Sequence, residues 1–182
     1  MKTALRTKIF MKPAKILEEA GISAGMTVAD LGCGSGSFSI SAAKMIKNSG
    51  KVYAVDILDH MLEVTQSNAS LSGIHNITTI KGDIEKEKGS KIDSSFCDIA
   101  ILSNVLFQSK KKEQIINEAK RILKPDGKVL IIDWEKDALF GPDKSLRLKK
   151  EDIQKLLEKN GFILDKAIDV GHFHYGLLFA KK

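Results

Sequence analysis

Short apolar runs alternate along the chain with longer stretches of helical periodicity. The runs rich in β-branched residues predict seven strands, at 27–31, 52–55, 76–80, 96–102, 129–134, 162–170 and 175–180. Wider apolar spacing predicts five helices, at 11–20, 35–48, 59–72, 110–123 and 149–160. The first helix has Pro13 near its start and Gly21 after its end, the order in which these residues begin and end helices.

Strands and helices alternate over nearly the whole sequence, a pattern typical of right-handed βαβ crossovers. We therefore predict an α/β fold with a Rossmann-like, mainly parallel seven-stranded sheet and helices on both faces. No helix separates the last two predicted strands, so we expect them to form an antiparallel hairpin at one edge. The sequence Lys124-Pro125-Asp126-Gly127 predicts a turn before the fifth strand, because proline presets one dihedral and glycine permits positive φ.

Length and composition add limits to this fold. The 182 residues suffice for one core, so we predict a single domain over 1–182 with an N-terminal arm at 1–12. Cys33 and Cys97 are too few and too far apart for a disulfide framework or a structural zinc site, which favours a cytoplasmic protein. No apolar run is long enough to span a bilayer, and we expect no membrane contact. A net charge of +6 favours anionic partners without requiring them.

Three predicted strands end in residues suited to a ligand that contains adenosine. The first runs into Gly32-Cys33-Gly34-Ser35-Gly36, a turn that lets backbone approach a ligand closely and then begins a helix. Asp56 ends the second strand, where a carboxylate can accept both hydrogen bonds of a ribose diol. Asp83 follows the third strand, where it can accept a hydrogen bond from an adenine amino group, or merely cap the segment after it.

Two features separate this turn from the dinucleotide fingerprint G-x-G-x-x-G/A. Counted from Gly32, the sixth position is Ser37, and a glycine falls one place early at Gly36. Asp30 precedes the turn, where a carboxylate fits poorly beside a pyrophosphate but suits ammonium and sulfonium groups. The turn therefore favours a cationic ligand over a dinucleotide.

The residues from Asp30 to Gly36 resemble motif I of class I S-adenosylmethionine-dependent methyltransferases. Further stretches resemble the second motif, the adenine-contacting motif and the fourth and fifth strand region of that family, at 55–56, 82–84, 98–103 and 123–128. The resemblance covers roughly residues 13 to 182 and is strongest to the small stand-alone enzymes of the ubiquinone/menaquinone methyltransferase-like group. It implies S-adenosylmethionine as the cofactor and the seven-stranded sheet with its final hairpin.

The resemblance also implies a set of cofactor-binding residues: Asp30, Gly32, Cys33, Gly34, Gly36, Ser37, Asp56, Ile57, Met61, Asp83, Ile84 and Ser103. Asp30 is implied near the methionine ammonium and Asp56 at the ribose hydroxyls. Ile57 and Met61 are implied to flank the adenine ring, and Asp83 is implied to hold its amino group, with Ile84 beside it. Simpler roles stay open for Met61, as a core residue, and for Cys33, as a small filler between glycines.

Candidates for the acceptor side lie beyond the fourth and fifth strands and in the final hairpin. We predict catalytic roles for Asn104, His172, His174 and Tyr175. His172 and His174 are two residues apart and are expected to share one face of a strand or its lead-in, either orienting the acceptor or only pairing within the hairpin. No third ligand accompanies the two histidines at suitable spacing, so we predict no metal site.

These residues predict methyl transfer by direct displacement to a small-molecule acceptor, with a general base only if the acceptor must lose its proton early. An RNA or protein acceptor, and a non-catalytic cofactor-binding subunit, are the alternatives; nucleic acid is not favoured. Two cysteines are few for arsenic chemistry. Ser103-Asn104-Val105-Leu106 departs from the Asn-Pro-Pro-Tyr type motif of enzymes that methylate base nitrogens. We expect the acceptor pocket to stay open, or to be covered by segments 2–12 and 138–147 or by a homodimer.

Overall fold

The computed structural model describes residues 11–182, so most of the predicted arm at 1–12 lies outside the described residues. Its helices and 3-10 helix are α1 Pro13–Glu19, α2 Ser37–Ile46, α3 Asp59–Leu71, η1 Leu106–Gln108, α4 Lys112–Ile122 and α5 Lys150–Lys159. Its strands are β1 Thr27–Leu31, β2 Lys51–Asp56, β3 Ile77–Lys81, β4 Cys97–Ser103, β5 Leu123–Trp134, β6 Phe162–Ile168 and β7 His174–Lys181.

The seven strands form one sheet in the order β3-β2-β1-β4-β5-β7-β6. β7 runs antiparallel to β5 and β6, and the pairs from β3 to β5 are parallel. The predicted fold class and final hairpin are confirmed. Chain order reverses on the two sides of β1, so a crevice opens at the carboxyl ends of β1 and β4, which is where open α/β sheets bind ligands.

Each face of the sheet is covered by helices, and the two apolar clusters account for the strand pattern. Ala100 and Leu102 of β4 face α4 and α5, whereas Ile99 and Ile101 face α1 and α2. Successive strand residues point to opposite faces, so a strand covered on both sides must be apolar throughout. Within residues 11–182, no helix is long and apolar enough to cross a membrane.

Most predicted boundaries shift by one to three residues, and the largest difference is in β5. This strand begins at Leu123, not at 129, because Leu123 already pairs with Cys97 of β4. Lys128 pairs with Ile99, so residues 124–127 bulge out between two paired positions and Asp126 takes a φ of 61°. The predicted turn is therefore an irregularity inside a strand. The short helix η1 was not predicted.

Candidate active site

The glycine turn after β1 is built by backbone hydrogen bonds to the neighbouring strand. The N–H groups of Gly32 and Cys33 both donate to the carbonyl of Val55, at 2.8 and 3.0 Å. Gly32 has a φ of 80°, and a Cβ there would lie 2.6 Å from Cγ2 of Val105. The turn therefore needs glycine both for its backbone conformation and for its contact with the segment after β4.

Gly36 has a different task from the glycines before it. It is the N-cap of α2, with a φ of 82°, and a Cβ would lie 2.7 Å from both Cγ2 and Oγ1 of Thr65. Gly36 thus allows α2 to pack closely on α3. It does not line the cavity described below.

Asp56, the last residue of β2, is oriented by two backbone donors. The N–H of Gly34 donates to Oδ2 at 2.9 Å, and the N–H of Leu58 donates to Oδ1 at 3.0 Å. The carboxylate is therefore held beside the glycine turn. Each carboxylate oxygen has a further lone pair with which to accept a hydrogen bond from a ligand.

Asp30 is a buried carboxylate beneath the same turn. The hydroxyl of Ser39 donates to Oδ2 at 2.5 Å, and no lysine, arginine or histidine within the described residues lies within ion-pair distance. Burial raises the pKa of Asp30 to about 6, although the Ser39 hydrogen bonds act to lower it. A carboxylate with this environment favours a cationic ligand, which is the charge that S-adenosylmethionine carries.

Asp83 lies after β3, and its carboxylate contacts residues that follow it in the same loop. Its Oδ1 accepts the N–H of Glu85 at 3.1 Å, and its Oδ2 lies 3.1 Å from Nζ of Lys86. The Lys86 ammonium holds the pKa of this carboxyl below its usual value. The capping role considered for Asp83 is present, and the residue also lines the cavity.

A cavity of about 670 Å³ opens at the carboxyl ends of the strands and collects the predicted cofactor residues. Eleven of the twelve line it, and Gly36 is the exception: Asp30, Gly32, Cys33, Gly34, Ser37, Asp56, Ile57, Met61, Asp83, Ile84 and Ser103. Residues from five separate segments thus meet in one space. Within residues 11–182, no cluster of three His, Cys, Asp or Glu side chains forms a metal site.

Asn104 is the one predicted catalytic residue that lines this cavity. It follows β4 with a φ of 58°, its N–H donates to the carbonyl of Ile132 at 2.8 Å, and its carbonyl accepts Nε2 of Gln108 at 2.6 Å. Its side-chain Oδ1 is buried and has no protein donor among the described residues. A bound ligand can supply the donor that this oxygen lacks.

The other three predicted catalytic residues lie elsewhere. His172 is exposed in the turn before β7, so it shares no strand face with His174, which begins that strand. The His174 ring stacks on Trp134 with centroids 4.0 Å apart, and burial lowers its pKa to about 4. Tyr175 is buried and faces a second cavity beside α5, and burial raises the pKa of its hydroxyl well above the usual value.

Several residues that line the cavity were not predicted. They come from α2, from the loop after β3, from the segment that contains η1 and from α4: Phe38, Glu85, Val105, Gln108, Ser109 and Ile115. The sequence marks the ends of the strands that they follow, but not which later residues fold back over the crevice. Of the two segments expected to cover the pocket, Met11 reaches the cavity, and no residue of 138–147 lines it.

Asp133, near the end of β5, lies behind the segment that contains η1. It is fully buried, and its carboxylate accepts the N–H of Phe107 at 3.1 Å and that of Trp134 at 2.8 Å. Burial raises the pKa of Asp133 to about 6. Because Phe107 belongs to η1, Asp133 ties η1 to the end of β5.

Comparison with known proteins finds methyltransferases among the similar sequences. A family model described as a methyltransferase domain matches residues 22–176. The ubiquinone/menaquinone biosynthesis C-methyltransferase UbiE of Shewanella pealeana is 29% identical over 156 residues, which are 84% of this chain and 59% of that protein. The first curated relatives are matched over only 57% to 59% of their own length.

Two solved structures are similar in both fold and sequence. A SAM dependent methyltransferase from Aquifex aeolicus has a TM-score of 0.87 at 26% identity, over 95% of this chain and 91% of that chain. An arsenic(III) S-adenosylmethionine methyltransferase from Chlamydomonas reinhardtii has a TM-score of 0.71 at 26% identity, over 98% of this chain and 69% of that chain. The family model matches residues 22–176, and the sheet and the cavity agree with that match. The chain therefore belongs to the methyltransferase domain family, with S-adenosylmethionine as its cofactor.

Proposed function

We propose that this chain transfers a methyl group from S-adenosylmethionine to a small molecule that carries no negative charge. The charge of the cavity carries this proposal. Its ionisable carboxyl groups are Asp30, Asp56, Asp83 and Glu85, and none of the residues from 11 to 182 that line it is a lysine, arginine or histidine. Among the described residues, the lining of the cavity is therefore acidic although the chain as a whole is basic.

Within residues 11–182, two of these four carboxylates have a cationic partner. Lys86 lies 3.1 Å from Asp83, and Lys111 lies 3.5 Å from Glu85. Asp30 and Asp56 have no ion pair within the described residues. An anionic acceptor about 4 Å from either would be repelled by about 1 to 4 kcal/mol, depending on how well water screens the pair. A neutral or cationic acceptor avoids this cost.

We assign three of the acidic side chains to the donor. Asp56 is proposed to accept the two ribose hydroxyls and Asp83 the adenine amino group, while Asp30 faces the cationic end of the methionine portion. When bound, the cofactor supplies a methyl group on a positively charged sulfur. The chain's contribution is then to hold the donor and the acceptor in line.

The remaining wall of the cavity suits the acceptor. Phe38, Val105 and Ile115 make it mainly apolar, and Gln108 adds a polar group. We assign the orienting role to Asn104, because its buried Oδ1 can accept a hydrogen bond from an acceptor N–H or O–H. The catalytic roles of His172, His174 and Tyr175 remain predictions, and they require an acceptor that extends beyond this cavity.

The cysteines favour an organic acceptor over arsenic. Cys33 lines the cavity at the carboxyl end of β1. Cys97 lies at the amino end of β4, on the far side of the sheet from the cavity, where it is buried in the core. Burial raises the pKa of both thiols to about 12, so neither is a ready thiolate. The UbiE relative, which takes part in ubiquinone/menaquinone biosynthesis by its name, is consistent with an uncharged organic acceptor.

A transfer assay with fractionated extract tests this function. The purified protein is incubated with methyl-labelled S-adenosylmethionine and with the small-molecule, RNA or protein fraction of the source organism. We expect label only in small-molecule products, and we expect the acceptor to pass through an anion-exchange column. Label in RNA or protein would assign the acceptor to that class instead. Cofactor binding without transfer to any fraction would indicate a non-catalytic subunit, and an acceptor retained by the anion exchanger would contradict the charge argument.

A further inference from the structure

The segment after β4, residues 104–109, contains η1 and forms one wall of the cavity. Asn104, Val105, Gln108 and Ser109 of this segment all line the cavity. The acceptor proposed above meets the wall at Asn104, whose buried Oδ1 has no protein donor among the described residues. The position of this segment therefore decides where an acceptor can be held.

Two hydrogen bonds tie the segment to the end of β5. The N–H of Asn104 donates to the carbonyl of Ile132 at 2.8 Å, and the N–H of Phe107 donates to Oδ2 of Asp133 at 3.1 Å. Within the segment, Nε2 of Gln108 donates to the carbonyl of Asn104 at 2.6 Å. Asn104 has a φ of 58°, a conformation that a residue other than glycine keeps only when its surroundings hold it.

Asp133 acts on this wall from outside the cavity. It does not line the cavity, it is completely buried, and its Oδ1 accepts the N–H of Trp134 at 2.8 Å. Among residues 11–182, both of its hydrogen bonds are thus to backbone N–H groups, and no cation pairs with it. A buried carboxylate without a cation costs folding free energy, and Ile131 and Ile132 before it are apolar. Packing of the strand alone therefore does not account for a carboxylate at this position.

We propose that Asp133 is a positioning residue for methyl transfer, which acts through η1 to fix Asn104 and Gln108 where they contact the acceptor. This inference rests on the proposed function, because it assumes that the acceptor meets segment 104–109. The carboxylates assigned to the donor lie at the ends of β1, β2 and β3 and have no hydrogen bond to Asp133. Loss of Asp133 should therefore impair use of the acceptor much more than binding of the cofactor.

Methyl transfer to the small-molecule fraction, supplied at a series of dilutions, tests this role. Asp133→Ala removes both acceptor oxygens, and Asp133→Asn keeps one. Asp98→Ala is the matched control, because Asp98 accepts the N–H of Thr27 at 2.7 Å but does not line the cavity. We expect the amount of the fraction that gives half-maximal rate to rise at least about tenfold in Asp133→Ala, less in Asp133→Asn, and not in Asp98→Ala. Calorimetry should show the wild-type affinity for S-adenosylhomocysteine in all three variants.

A double-mutant cycle with Asn104→Gly separates positioning from a general loss of stability. Glycine removes the Asn104 side chain and tolerates the φ of 58°. If Asp133 acts through Asn104, Asp133→Ala should raise the half-saturating amount far less in the Asn104→Gly background than in wild type. Hydrogen exchange at 105–109 should be about tenfold faster in Asp133→Ala than in Asp98→Ala, because the Phe107 N–H loses its acceptor.

Three results would overturn the inference. The first is a half-saturating amount in Asp133→Ala equal to that of wild type. The second is an equal rise in the Asn104→Gly and wild-type backgrounds, and the third is unchanged exchange at 105–109. Failure of the proposed function looks different, because the wild type itself would then transfer no label to the small-molecule fraction.

Discussion

Asp30 carries a burial cost that no neighbouring cation offsets within the described chain. Its folded-state pKa of about 6 lies above the ordinary value of 3.8, because burial disfavours the charged form. Between these two pH values the folded state binds the proton more tightly than the unfolded state. The free energy of unfolding therefore falls as pH rises through this window, and the full penalty, about 3 kcal/mol, applies above pH 6.

We expect Asp30→Asn to remove the part of this pH dependence that comes from Asp30 and to leave the part from Asp133, whose pKa burial also raises to about 6. At pH 8 the variant should be more stable than wild type by about 1 to 3 kcal/mol, and near pH 4 the two should converge. Urea unfolding across this range measures the effect. The exposed Asp137, 91% exposed at its side chain, gives the control Asp137→Asn, for which no change in slope is expected. An Asp30→Asn variant that keeps the wild-type slope would show that Asp30 is not the titrating group.

For single residues, the sequence predicted which residues form the site better than it predicted their burial and their partners. Asp30, Asp56 and Asp83 could be selected because each lies at or just beyond the end of a strand that its apolar pattern marks. Nothing local to these residues reports that Asp30 is completely buried, or that Asp83 is paired with Lys86. His174 was misjudged for the same reason, since its stacking on Trp134 depends on how β7 aligns with β5.

Among the elements, the segment at 85–95 shows how a charged loop becomes ordered. Its backbone donates to the buried Glu118 of α4, from Lys88 at 3.1 Å and from Ser90 at 3.0 Å. Arg121, one turn later, donates to the carbonyl of Ile92 at 2.8 Å and to Glu118 at 2.7 Å. These two side chains satisfy the backbone groups that a loop without secondary structure leaves unpaired.

Glu118→Ala should therefore loosen the whole segment. The change leaves the Arg121 guanidinium without its carboxylate and two backbone donors without an acceptor, and breaking a buried ion pair in this way costs about 3 to 5 kcal/mol. Hydrogen exchange should show faster exchange at 88–92 than in wild type. Glu113→Ala on the same helix is the control, because Glu113 forms a solvent-exposed pair with Lys159 and such pairs add little to stability. Equal effects of the two variants on stability and exchange would refute this account of the loop.

The strands were predictable because their residues are buried on both faces, so the apolar runs stand out from the amphipathic helices. Their ends depend on contacts that are distant in sequence. β5 begins six residues before the predicted start because Leu123 pairs with Cys97 across a bulge. The order of segment 85–95 likewise depends on side chains about 30 residues away, and η1 depends on the buried Asp133.

Across the whole molecule, charge is distributed in two opposite ways. The chain is basic overall, with a net charge of +6, but the cavity at the carboxyl edge of the sheet is acidic. Net charge is a sum over the surface, so composition alone favoured anionic partners and could not reveal the acidic cavity. The cavity favours a cationic donor and an uncharged acceptor, whatever the sign of the net charge.

The most direct test of the central claim is calorimetric titration of ligand-free protein with S-adenosylhomocysteine. We expect one site per chain with micromolar affinity. Asp56→Ala should weaken binding about 100-fold, a loss of about 3 kcal/mol, because two hydrogen bonds to a carboxylate are removed. Asp59→Ala is the control three residues later, since Asp59 only pairs with the exposed Lys81. Absence of binding to the wild type, or equal affinities for the Asp56→Ala and Asp59→Ala variants, would contradict the account.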